Sequence, residues 1–98
     1  MSKLKLKRPL DVEGKPVEEF DLGKLKEMTG ADFVFCTREA ARKTGEPVVY
    51  VELDEAFRLE VMAKATGIDP DVLKKLRFDD FAALDRAVRN FLIGTDSE

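Results

Sequence analysis

Residues 54–94, DEAFRLEVMAKATGIDPDVLKKLRFDDFAALDRAVRNFLIG, carry the punctuation that decides the fold. Asp54 stands where a helix N-cap is needed and Gly67 where the same helix must stop. Within it, Phe57, Val61 and Ala65 form one apolar stripe, and Ala56, Leu59 and Ala63 form another on nearly the opposite side. Such a helix is either covered on both faces or left with one stripe open for a partner. Asp69-Pro70 then pairs a capping carboxylate with proline at the first helical position, which predicts a short helix to about Leu76 with Val72, Leu73 and Leu76 apolar. Asp79 or Asp80 starts the last helix. There Phe81, Leu84, Val88, Phe91 and Leu92 fall within an arc of about 100°, and Gly94 ends the run.

Working back towards the N-terminus, Thr29 followed by Asp32 reads as a capping box, with Gly45 and Pro47 as the stop, so a helix is expected over about 30–44. Phe33, Val34, Cys36, Thr37, Ala40 and Ala41 gather on its broad face. Phe35 instead projects among Arg38, Glu39 and Arg42, either covering the open face of the N-terminal hairpin or anchoring a partner. The stretch Pro47 to Leu53 is rich in β-branched residues and reads as a linker or a short third strand.

Earlier still, Leu4, Leu6, Leu10 and Val12 alternate with Lys3, Lys5 and Lys7, the period of a half-buried strand. Gly14 supplies a turn, and a second strand from about Val17 to Leu22 closes a hairpin whose acidic residues face the lysines. The expectation is an α+β fold: one domain over 1–98, with a hairpin at about 3–22, a small bundle of about four helices at about 29–93, and an acidic tail at 95–98.

Composition narrows the function classes. The 98 residues are 44% hydrophobic and 38% charged, which fits a folded domain with one modest core. Without histidine and with Cys36 as the sole cysteine, zinc sites, intrachain disulfides and Cys-His catalysis are excluded. No catalytic constellation appears, so the expectation is a protein that is not an enzyme and needs no cofactor. No apolar run suits a secretory signal or a membrane span, which makes the cytoplasm the default address. The net charge of −3 argues against neutralising a nucleic-acid backbone. The spacing of Ala63, Gly67 and Leu73 does suit a helix-turn-helix regulator, the alternative reading, but Asp69 and Asp71 would meet the phosphates and only Lys74 and Lys75 offset them. Glu18/Glu19 and Asp79/Asp80 read as strand surface and helix cap rather than as paired catalytic carboxylates.

Four segments in order, LKLKRPLDVEGKPVEEFDL at 4–22, MTGADF at 28–33, VMAKATGIDPDVLKKL at 61–76 and FDDFAALDRAVRNFLIG at 78–94, closely resemble the phage tail assembly chaperone family. The hinge Phe78-Asp79-Asp80-Phe81 is more charged than the family pattern. The resemblance implies a protein of the bacterial host's cytoplasm that binds and solubilises the tape measure protein during tail assembly and is absent from the mature virion. It further implies a longer, frameshifted form that contacts the tail tube protein. Phe35 and Phe91, each at the margin of its helix's main face, are the partner-binding candidates, and the two stripes of the middle helix suggest a homo-oligomer. No nucleic acid or membrane is expected as a partner.

Overall fold

The computed structural model describes residues 3–94, so the acidic tail expected at 95–98 lies outside the described residues. An antiparallel hairpin, β1 (Lys3–Val12) and β2 (Lys15–Asp21), leads into a 3₁₀ turn over Leu22–Glu27 and then into four α-helices: α1 (Gly30–Thr44), α2 (Glu55–Thr66), α3 (Pro70–Leu73) and α4 (Phe78–Leu92). This is the α+β arrangement that the alternation and the caps predict.

The hairpin turns on Glu13 and Gly14, both at positive φ, the conformation whose twist matches the flanking strands. Its ladder is interrupted. Lys5 pairs with Glu19 and Leu10 with Val17, which leaves Leu6 to Pro9 on β1 opposite Glu18 alone on β2. A bulge of this size leaves ladder donors without strand partners, and they must be satisfied elsewhere. The amides of Lys7 and Arg8 donate to the two carboxylate oxygens of Asp80 on α4, at 3.0 and 3.1 Å. Asp80 is 3% exposed. The reading of Asp79/Asp80 as a helix cap is thereby corrected: α4 begins at Phe78 after Arg77, which makes no side-chain cap, Asp79 accepts from the Asp80 amide at 2.9 Å inside the first turn, and Asp80 serves the strand. The lysine stripe is likewise divided, since Lys3 lies 3.7 Å from Glu19 across the hairpin whereas Lys7 reaches Asp79 of α4 at 3.5 Å.

The helix punctuation follows local chemistry. The Thr29 amide donates to Asp32 at 2.9 Å and the Asp32 amide to the Thr29 hydroxyl at 3.4 Å, completing the capping box. Asp54 accepts from the Phe57 amide at 2.8 Å, and Asp69 from the Asp71 amide at 2.8 Å. Gly45 and Gly67 close α1 and α2 in the left-handed region. α3 is shorter than the periodicity predicts: after Leu73 the chain tightens to three-residue hydrogen bonds, Lys75 to Val72 and Leu76 to Leu73. That tightening buries Leu73 and Leu76 and aims the chain into α4. The stretch before α2 forms a 3₁₀ turn at Val51–Leu53, without the third strand that was one of its two readings.

α2 is the centre of the fold and packs against α1, α3, α4, the hairpin and the first 3₁₀ turn. Phe57, Val61, Met62 and Ala65 are buried there, and the second stripe, Ala56, Leu59 and Ala63, is half-buried against the same core. Leu84 and Val88 of α4, Leu6 and Leu10 of β1, Phe20 of β2 and Cys36 of α1 belong to the same core, with Leu25 of the first 3₁₀ turn and Leu73 of α3.

Candidate partner-binding surface

With the core assigned, the apolar groups left outside it become informative. α1 buries only Cys36 and Ala40, so its broad face is narrower in the fold than its periodicity suggests. Phe33 remains 47% exposed and Phe35 46%. The two phenylalanines are two residues apart, about 200° around a helix, and therefore open onto different grooves.

Phe33 tilts against the Phe57 ring with centroids 5.3 Å apart. Together with Leu25, Met28, Phe91 and Leu92 it lines a hollow of about 120 Å³ between the first turn of α1 and the last turn of α4. Among the described residues Thr29 is the one polar residue on otherwise apolar walls, and Phe57 and Val61 of α2 also line the hollow. One wall is held by the capping box, where the Thr29 amide bound to Asp32 keeps that carboxyl below the ordinary aspartate range. Ile93, next along from Leu92, is exposed beyond it.

Phe35 does not cover the hairpin; α2 and α4 do that. Its ring sits under the Lys64 ammonium, 4.4 Å from the centroid, and Lys64 also lies 3.4 Å from Asp32. It lines a wider hollow of about 470 Å³ with Glu39, Lys43, Lys64, Ile68 and Pro70. Beneath that rim the buried Glu60 accepts from Lys43 at 2.7 Å, a bond that raises the lysine above its usual range. Phe35 and Phe91, the two residues singled out by sequence, are thus not brought together; Phe33 is the aromatic that shares a groove with Phe91.

Two buried charged groups, Arg58 and Asp80, take roles that the sequence reading did not give them. Arg58 of α2 is buried and donates to Asp85 at 2.7 Å, to Glu55 at 2.7 Å and to the Glu52 carbonyl at 2.7 Å. Its position four and seven residues before Met62 and Ala65 set it on a core-facing stripe, a signal available in the sequence. Asp80, four residues before Leu84 and eight before Val88, carried the same signal.

Cys36 is fully buried and its thiol is pushed up to about 11 by that burial, so it behaves as a core residue without thiolate reactivity. Among the described residues no group of carboxylates and cysteine could hold a metal ion. Gly67 does turn α2 into α3, with its amide 2.8 Å from the Ala63 carbonyl, but α3 is a single turn and Leu73 is fully buried. A groove-reading helix needs more length and an exposed face. No described helix is long and apolar enough to cross a membrane.

No curated protein and no solved structure matches the chain. A family model described as phage tail assembly chaperone proteins, E, or 41 or 14, matches residues 3–93, a span that includes the hairpin, all four helices and both phenylalanine grooves, and the chain therefore belongs to the phage tail assembly chaperone family.

Proposed function

We propose that this chaperone binds the tape measure protein by docking an amphipathic helix of that client in the groove between α1 and α4. The observation that carries this reading is the partly exposed apolar wall formed by Phe33, Met28, Phe91 and Leu92 at the open end of the core. A helix laid in such a groove needs large apolar contacts from the receptor and no reacting group. The protein works by holding its client in the host cytoplasm, catalyses nothing, and leaves before the virion is complete. In a longer, frameshifted form the extension recruits the tail tube protein.

Aromatic groups supply much of the affinity in contacts of this kind, because truncating a central one commonly costs more than about 2 kcal/mol. The test is co-expression of the tape measure protein with Phe33→Ser, Phe91→Ser or Phe35→Ser, each first shown by circular dichroism to be folded. Loss of soluble client is expected with the first two. Phe35→Ser distinguishes the neighbouring groove, and full loss there with none at Phe33 or Phe91 transfers the docking site to it. Undiminished client solubility with all three variants overturns the docking assignment.

A further inference from the structure

On the side of the molecule where α3 hands over to α4, a hollow of about 410 Å³ is lined by Leu76, Phe78, Phe81 and Ala82, with Glu55, Asp85 and Lys74 also on its wall. Phe78 is 80% exposed, the most exposed large apolar side chain among the described residues. Exposure on that scale stands out because it occurs beside an apolar depression rather than alone. Phe78 does not fill the hollow that it borders. Leu76, by contrast, is buried and Phe81 half-buried against the core.

The charges around the hollow are unevenly divided. Arg58 holds both Glu55 and Asp85 at 2.7 Å, so two carboxylates share one guanidinium and leave one net negative charge at that wall. Lys74 stands on the α3 side, its side chain 61% exposed and its ammonium 3.7 Å from the exposed Asp71, a contact weak enough to be exchanged. The patch therefore combines an apolar knob, an apolar hollow, a cationic side and an anionic side. A two-fold axis requires that kind of self-complementarity, since each feature must meet its counterpart on an identical surface.

We propose that two copies of this chain pair about a two-fold axis through this hollow. Phe78 of each copy seats against Leu76 and Phe81 of the other, and Lys74 of each faces the Glu55 and Asp85 of the other. This pairing uses neither phenylalanine groove and stands independently of the client reading. It also leaves the half-buried stripe of α2 within the protomer.

The test is the mass of the full chain by light scattering or sedimentation across the micromolar range, with folding of every variant checked by circular dichroism. A dimer is expected for the native chain. Phe78→Ser, which alters an exposed side chain, raises its dissociation constant by about tenfold or more. Lys74→Glu and Glu55→Lys each weaken pairing alone, whereas an equimolar mixture of the two recovers a dimer because each reversed charge then meets its opposite. A native chain that stays monomeric throughout the range overturns the proposal. So does a Phe78→Ser variant that dimerises as well as the native chain, or a folded mixture that does not recover mass. A monomeric native chain whose Phe78→Ser variant loses its client assigns this surface to the client instead and likewise ends the proposal.

Discussion

The two ends of α4 treat the same apolar periodicity in opposite ways. At its first turn Asp80 is buried and locks two amides of the β1 bulge, so the helix and the hairpin hold each other in one register. At its last turn Phe91 and Leu92 are half covered and face Phe33 across an open groove. The hairpin side of the first turn is closed by directional hydrogen bonds between polar groups, while Phe78 on the same turn borders the separate hollow beside α3. The last turn is left with dispersion and hydration alone, forces that fit any apolar surface of suitable shape. A small binding protein gains from that division, because the rigid end holds the open end in place without committing its surface to the core.

The largest expected effect lies between those ends. Val88 is fully buried, and Val88→Asp places an unpaired carboxylate in the core, which unfolds the domain. A denaturation curve showing a native-like transition for this variant would move Val88 from core to groove and erase the contrast. At the closed end, Asp80→Ala removes the acceptor of two amides and is expected to cost about 2 kcal/mol, measured as a lowered urea midpoint with an unchanged slope. Client binding should survive it once the variant is folded. A midpoint equal to that of the native chain would show that water replaces the carboxylate at the bulge.

The smallest effect concerns the open end, where Asp32 holds the first turn of α1 and with it Phe33. Its folded-state pKa is depressed below 3.8, chiefly by the Thr29 amide, so its contribution to stability is present above that value and is lost as pH falls through the folded one. Asp32→Asn is expected to lower stability slightly at neutral pH and to match the native chain in acid. A difference that persists unchanged at a pH low enough to protonate Asp32 in the folded chain would separate the capping box from the ionisation of Asp32.

Much of this architecture was legible residue by residue. Thr29 with Asp32, Asp54, Asp69-Pro70, Gly45 and Gly67 mark the helix ends through contacts no more than four residues long. The alternation of leucines and lysines marks the hairpin. Phe91 could be marked as marginal from its own helix, and so could Phe35, but the groove each belongs to could not. A helical wheel gives the angle of a side chain and says nothing of which neighbour stands opposite.

Neighbouring residues and the order of segments therefore carried the signals for the hairpin, the helices and their order, the caps of α1, α2 and α3, and the family to which the chain belongs. Tertiary structure alone decided the bulge in β1, since the ladder yields there to Asp80, 73 positions away from Lys7. It also decided that Arg58 finds Asp85 across 27 positions, and that Phe33 rather than Phe35 meets Phe91. The physical reason is common to all three. A buried polar or aromatic group is satisfied by whatever packing brings within a few ångströms, and that proximity is fixed only when α2, α4 and the hairpin close on one core.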